Sequence, residues 1–421
     1  MLRLLSSLLL LACSGSDTDA DPAKLCDDRA LYADADGDGY GDASAPVRAC
    51  AEGAGVVANN DDSDDTDPLV WFEPGTYPGD LDGGFSSFCT GYPTRAILGS
   101  LHLSWASQAD VDSLRCLSSV GGIVIVEHAS LTNLDGLSAL SSIGGHLFIE
   151  DNASLTNLDG LSALSSIGGE LFIFDNASLT NLDGLSAVSS IGQGISIGDN
   201  ASLTNVDGLS AVSSIGGGIF IFGNSALTNL HGLSAVSAVD SPLLIGDNAS
   251  LTSLGLSSVA VADVIQVIGN DSLTSLGFSA LTSVGALLVA GNPALANVDG
   301  LSAVSSVGDY LMIHSNETLT NVDGLSALAA IRGTLHVEAN AALTDLDGFS
   351  ALSSIGDGLY LYGNAGLTNV DGLSAITSLG GALDVHSHPQ LCQSDVDALV
   401  MRLQADGYSG TVNTSDNAAC R

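Results

Sequence analysis

Positive charge is nearly absent from this chain: 9 Lys+Arg stand against 48 Asp+Glu over 421 residues, a formal net charge of −39. A surface that acidic repels phosphate backbones, which excludes nucleic-acid binding. Charged residues of both signs are only 14% and aromatics 5%, against about 25% charged in an ordinary domain. A mean hydropathy of +0.36 excludes a disordered acidic tail. No uninterrupted run reaches the roughly 18 apolar residues that a spanning helix needs. There is no nucleophile elbow, no Walker loop and no dinucleotide fingerprint. What is abundant is glycine, 50 residues, and a long periodic chain explains that composition best.

The first residues read MLRLLSSLLLLAC. Arg3 supplies a positive n-region and Leu4 to Leu11 an apolar h-region too short to cross a bilayer. Leu10-Leu11-Ala12-Cys13 resembles a bacterial lipobox, which implies a signal peptide over 1–12, lipidation of Cys13 and a tether over 13–25. The alternative is an ordinary signal peptide with Cys13 incidental. Several acyl chains, at ~0.8 kcal/mol per buried CH₂, would anchor the protein firmly. Ser14 after the cysteine, rather than Asp, is compatible with sorting to an outer membrane.

Six cysteines remain once Cys13 is set aside. An even number in an exported chain argues for disulfides, and proximity in sequence selects Cys26–Cys50, Cys89–Cys116 and Cys392–Cys420 among the formal pairings. No cysteine lies between 117 and 391, so the bridges belong to the ends of a periodic body.

Residues 26–70 form an acidic head. Asp34, Asp36, Asp38 and Asp42, with Gly39 at the sharp turn and Tyr40 between, match the first part of a calcium loop. Position 12 is Ala45 instead of a bidentate Glu, so further oxygens are expected from Asp61, Asp62, Asp64, Asp65 and Asp67. The two runs, LYADADGDGYGD and NNDDSDDTD, resemble the metal-binding motif of bacterial surface proteins and thrombospondin type 3 calcium repeats. That resemblance implies structural Ca²⁺ over about 31–68. One departure is Ser63, where the motif usually carries a cysteine. With no His, Met or Trp in the segment, softer metals are poorly served. A solvated acidic linker is the bland alternative.

From 119 to 391 one unit recurs, as in GGELFIFDNASLTNLDGLSALSSI. Asparagines at 152, 176, 200, 224, 248, 270, 292, 316, 340 and 364 mark steps of 24 residues with two of 22, and His128 and His388 occupy the same column one step beyond each end. A weaker rung is expected around Leu101-His102-Leu103. Residues five and three before each asparagine are aliphatic, for example Leu171 and Ile173, which marks a short strand with those side chains inward. Leu155, Leu158, Leu161, Leu164 and Ile167 then keep a three-residue beat around the corners of a coil. The pattern LxIxxNxxLTxLDGLxxLxxI resembles leucine-rich repeats and, more closely, the receptor L-domain. The fold expected is therefore all-β: a right-handed β-solenoid of about twelve coils of 22–24 residues, coils spaced about 4.8 Å apart. An N-terminal cap spans 71–118 and a C-terminal cap 392–421, the latter with a helix. Ser394 and Asp397 suggest a capping box, and Val396, Leu399, Val400 and Leu403 share the helix's inner face.

Two ladders accompany the asparagines. Asn-Ala-Ser sequons at 152, 176, 200 and 248 read as turn amides rather than glycosylation sites. Asp135, Asp159, Asp183, Asp207, Asp299, Asp323, Asp347 and Asp371 fall in Asp-Gly turns, where Asx-turn bonding or a row of divalent ions would hold stacked like charges.

Alternation places a second set of residues on the outer face of the same strands: Phe148, Phe172, Phe174, Phe220, Phe222, Tyr360 and Tyr362. The Phe pairs flank the small Ser196/Gly198 rung, leaving an expected slot of about 10 Å, two coil spacings. Exposed rings of this kind mark an interface, or they pack neighbouring strands. His314, His336 and Glu338 make the one cluster with metal-ligand character. A polysaccharide-cleaving solenoid needs paired carboxylates about 5–10 Å apart, but outer-face Glu150 and Glu338 are eight rungs apart, about 38 Å. The reading is a non-enzymatic lipoprotein of the bacterial envelope, exposed at the cell surface, that recognises a protein or glycan. A spacer or surface coat without a specific ligand is the alternative.

Overall fold

The computed structural model describes residues 75–77, 79–127 and 130–420, with three short backbone strands, Leu31–Ala33, Pro46–Val47 and Val56–Val57. Leu31–Ala33 pairs antiparallel with each of the other two, and Leu31–Ala33 and Pro46–Val47 flank the 34–45 run in sequence. Cys13, Cys26, Cys50, His128, the calcium-loop residues Asp34, Asp36, Asp38, Tyr40 and Asp42, and Asp61, Asp62, Asp64, Asp65 and Asp67 all lie outside the described residues.

One coil shows how the sequence folds. After Asn152 the chain turns inward at Leu155 and Leu158, passes a 3-10 turn at Asp159–Leu161, and drops Leu164 into the interior. A two-residue strand, Ser166–Ile167, leads through Gly168-Gly169 into the strand Leu171–Phe174. Every apolar residue of the three-residue beat is buried, as are Leu171 and Ile173, and the column continues as one core from cap to cap. Each coil leaves one apolar side open, and stacking closes it. The expected β-solenoid is thus the observed fold.

Two parallel ladders line the coil. The main sheet stacks identical positions in register, Leu147 on Leu171 and Phe148 on Phe172. Twelve strands of four to eight residues, from Val124–Glu127 to Leu383–His386, form its body. The weak rung Leu101–His102 pairs ahead of them, and Val412–Asn413 closes the far end. The second sheet is built from strands of two to four residues. Its seven strands run back from Ser214–Ile215 to Thr76–Tyr77. Between the sheets the Gly-Gly corner is a steric requirement: a Cβ on Gly168 would strike the carbonyl of Gly144, and one on Gly192 that of Gly168.

The asparagines are fully buried and hold the coils in step. Asn176 Nδ2 donates to Ile149 O in the coil before (2.9 Å) and to its own strand's Phe174 O (2.8 Å). Its Oδ1 accepts the backbone N–H of Asn152 at 3.2 Å. The same bonds recur down to Asn364. Buried polar groups are tolerated only when satisfied, and this amide satisfies backbone atoms on two coils at once. The residue before each asparagine is left-handed, at φ 54° for Asp175 and 67° for Gly363, which accounts for the Asp/Gly bias there.

The two 22-residue coils lose one residue in each of two places. The Asp-Gly turn becomes a single left-handed glycine, Gly255 (φ 65°) or Gly277 (φ 67°), and the imidazole of His231 covers Gly255. The glycine corner is also shortened. There the two strands fuse into eight-residue strands, Val261–Ile268 and Ser283–Ala290, that pair in both directions around the corner. The second sheet breaks just before them. Ser214–Ile215 pairs back with Ser190–Ile191, Ala238–Val239 pairs forward with Val261–Ala262, and no pairing joins the two.

Both caps carry a disulfide, Cys89–Cys116 and Cys392–Cys420, as expected. The N-terminal cap adds two short helices, Phe85–Phe88 and Gln108–Asp112, that the all-β reading did not include. The capping box lies in the second of these, between Ser107 and Asp110, and not at Ser394/Asp397. The C-terminal helix, Gln393–Ala405, is capped by Cys392 with no side-chain bond. It buries Val396, Leu399 and Leu403, while Val400 is half-buried.

Candidate recognition face

Period-two alternation within the main-sheet strands turns Leu171 and Ile173 inward and Phe172 and Phe174 outward. The outer face therefore carries Phe148, Phe172, Phe174, Phe220, Phe222, Tyr360 and Tyr362, as the sequence indicated. Their environments differ. Phe148, Phe172, Phe220, Phe222, Tyr360 and Tyr362 are half-buried, whereas Phe174 is buried.

The expected slot at Ser196/Gly198 is not open. Phe174 stacks on Phe172 with centroids 4.2 Å apart and reaches over Gly198 to meet Phe222 edge-on at 5.2 Å. A Cβ on Gly198 would run into the Phe174 ring. Ser196 is buried beside it and donates to Glu170 Oε1 at 2.6 Å. His146 stacks on Phe148 at 5.5 Å, and Phe148 meets Phe172 of the next strand edge-on at 5.5 Å. The result is one run of ring contacts from His146 through Phe148, Phe172 and Phe174 to Phe222, with Glu150 in register with Phe174 and the exposed Asp151, Asp175 and Asp199 following the strands. Burial, then the charges of Asp199 and Asp151, push the Asp175 carboxyl above its ordinary value.

His314 and Glu338 do share a column on adjacent strands. Nε2 of His336 lies 3.1 Å from Glu338 Oε2, close but without hydrogen-bond geometry. Burial draws the His336 pKa below its usual value despite that carboxylate. Among the described residues no group of three His, Cys, Asp or Glu is disposed to hold a metal ion, so the zinc reading is dropped.

The aspartate ladder lies on another side of the coil. Its side chains are exposed, and the Asx turns there are made by the residue two places earlier: Asn157 Oδ1 accepts the N–H of Asp159 at 3.1 Å, and Asn181 Oδ1 that of Asp183 at 3.0 Å. The bond expected of the carboxylates is made by the neighbouring amide. The sequon asparagines 152, 176, 200 and 248 are fully buried, their amides spent on carbonyls, which removes them as glycan acceptors. A shallow trough of about 680 Å³ runs along the second sheet. It is lined by serines such as Ser142 and Ser166 and by the glycine corner, with no titratable group, and offers no chemistry.

Sequence reasoning missed the cap cations. Arg95 lies over the rings of Tyr92 (4.5 Å) and Phe88 (4.8 Å), and its Nη1 donates to Phe88 O at 2.8 Å. Arg402 donates to Ile376 O at 2.5 Å and Leu373 O at 2.8 Å, closing the last coil. Their signal was scarcity: in a chain with 9 basic residues, two sit at the two ends of the core.

No curated protein matches the chain. The family model of the Receptor L domain matches residues 95–192, from the N-terminal cap through the coil that ends at Gly192. Past residue 192 the same columns continue as parallel strands to Leu383–His386: the described body of the chain is a repeat β-solenoid of the receptor L-domain type.

Proposed function

We propose that this protein is a ligand-recognition module of the bacterial cell envelope, anchored by lipid at Cys13, and that it presents the outer face of its main sheet to a protein or glycan at the cell surface, where it serves adhesion. The observation that carries the reading is the row of half-buried rings, Phe148, Phe172, Phe220 and Phe222, on one side of a stiff parallel sheet. Apolar rings kept at the surface of so polar an exterior favour an interface. Receptor L domains form a ligand-binding family without catalysis, which favours recognition by protein contact. The spacing of Asp34, Asp36, Asp38 and Asp42 supports structural Ca²⁺ in the acidic head, with Asp61 to Asp67 supplying further oxygens. A spacer role without a ligand is favoured by one fact, the packing of Phe174 into the gap at Gly198.

The test uses the full chain in detergent with Ca²⁺ present, added to isolated envelope polysaccharides and to intact cells. A Phe148, Phe172, Phe220→Ser variant runs beside it, with Phe174 left in place because it is buried. Loss of binding with an unchanged melting curve supports recognition through this face. Equal binding by both proteins, or none by either, leaves the spacer reading.

A further inference from the structure

The far end of the same face carries a different chemistry. Strands Tyr310–His314, Thr334–Glu338, Leu359–Tyr362 and Leu383–His386 pair so that His314, Glu338, Tyr362 and His386 form one outward column, and Met312, His336, Tyr360 and Asp384 the next. Tyr362 and His386 stack with centroids 5.0 Å and planes 2° apart, and the His336 ring lies 5.0 Å from that of Tyr362. The carboxylates border these rings: Glu338 Oε2 is 3.1 Å from His336 Nε2, and Asp384 Oδ1 is 3.5 Å from His386 Nε2. Asn413, from the strand after the cap helix, donates to Asp384 Oδ1 at 2.8 Å and holds it in place. Glu338 and Asp384 keep 36% and 26% of their side-chain surface open.

What is missing here is a cation. No Lys or Arg occurs between 333 and 401. Arg332 lines a groove on the other side of the corner, and Arg402 is committed to two backbone carbonyls. Two open carboxylates and a stack of flat rings thus share about four rungs with no guanidinium or ammonium among the described residues.

We propose that this patch, formed by Glu338, Tyr362, Asp384 and His386, binds an arginine side chain in a basic peptide segment of the partner. The proposal rests on the outer face being the recognition surface. A guanidinium is planar, so it lies against Tyr362 or His386 while its N–H fork reaches a carboxylate. A lysine ammonium gains the charge but not the stacking. A neutral sugar gains the stacking but leaves two carboxylates without a positive partner, so charge favours the peptide.

The experiment titrates the full chain in detergent, at physiological salt, with tetra-arginine, with tetra-citrulline (the same shape without charge) and with neutral oligosaccharides. Glu338→Gln/Asp384→Asn is expected to weaken tetra-arginine about tenfold or more, as loss of charge-assisted bonds does. Tyr362→Leu is expected to weaken it severalfold, and tetra-citrulline not to bind. Asp299→Asn/Asp323→Asn removes the same charge from another side of the coil and is expected to change little. Equal weakening by that control pair would mean diffuse attraction to an acidic rod and would overturn the proposal. Binding of tetra-citrulline as tight as tetra-arginine, or of oligosaccharide alone, would overturn it too. Glu338→Gln and Asp384→Asn keep side-chain shape, so their melting curves check that the sheet is intact. If this patch fails while the phenylalanine variant still loses the envelope, the recognition face stands and only its cationic ligand falls.

Discussion

The backbone N–H of His388 donates to Oδ1 of Asn417 at 3.2 Å, across 29 residues of sequence that include the whole cap helix. Asn417 Nδ2 donates in turn to Val385 O at 2.9 Å and Thr414 O at 3.1 Å. Asp416 before it is left-handed at φ 60°, as Asp151 and Asp175 are before theirs. Asn417 is therefore a further member of the asparagine column, and the tail after the helix completes one more coil with the helix inserted into it.

His388 is the weak link in that column. Its fully buried ring has Nδ1 3.2 Å from Asn364 O and Nε2 3.0 Å from Leu361 O. A neutral imidazole has a single N–H for two acceptors. Burial lowers its pKa, with the two carbonyls opposing. A depressed histidine contributes stability that is complete above its unfolded pKa of about 6.5 and is lost as pH falls below that value. His388→Asn restores both donations and gives the Asn364 N–H an acceptor. The variant is expected to gain about 1 kcal/mol at pH 7, and more at pH 5.5. Urea unfolding at the two pH values measures both gains, and a variant equal to the parent at both would refute the assignment.

The glycine corner predicts a contrast between two substitutions. Gly168→Ala sets a methyl against the Gly144 carbonyl and must push adjacent coils apart, whereas Gly83 has nothing within 4 Å of an added Cβ. Gly168→Ala is expected to cost about 2–3 kcal/mol and Gly83→Ala less than about 0.5 kcal/mol. Thermal melts of the two proteins read the difference.

Phe174 and Phe148 test packing against exposure. Phe174 is buried between Phe172 and Phe222, while Phe148 is half-buried beside His146. Phe174→Ala should cost about 3 kcal/mol and Phe148→Ala less than half as much. Similar losses in chemical denaturation would mean that the surface rings all serve packing.

Asp323 lies in the exposed acidic ladder. Burial raises its pKa, and Asp345, Asp347 and Asp299 raise it further. The folded state thus binds its proton more tightly than the unfolded chain, so this site loses stability as pH rises through the carboxylate range and stays at that loss at pH 7. Asp323→Asn is expected to raise the melting temperature at pH 7, to leave it unchanged near pH 3, and to do less as salt increases. A lower melting temperature at pH 7 would give the carboxylate a cation-binding role instead.

Much of this molecule is legible in its sequence because each column has one physical job. An asparagine amide offers two donors and an acceptor on a short side chain at one buried point, so Asn152 to Asn364 declare the coil length outright. Leu171 and Ile173 alternate with Phe172 and Phe174 because a strand has a period of two. The failures have separate physical causes. The reach of Phe174 over Gly198 depends on a rotamer that spacing does not specify. Asn157 and Asp159 are both capable of an Asx turn and stand two residues apart, so residue type could not assign the bond. Asn417 was hidden because 29 residues, not 24, separate it from His388. The short helices Phe85–Phe88 and Gln108–Asp112 lie outside the repeat, where no periodicity announces them.

Because coils register by column and not by length, distance on the outer face comes in whole steps. Phe222 and Glu338 lie five rungs apart on the sheet, about 24 Å at a strand spacing of 4.8 Å. Removing or duplicating one coil, say Asn176 to Asp199, leaves every column continuous and moves what lies on either side by one such step. The aromatic surface and the Tyr362 patch are thus two marks on a ruler, and a partner that touches both reads the number of coils between them.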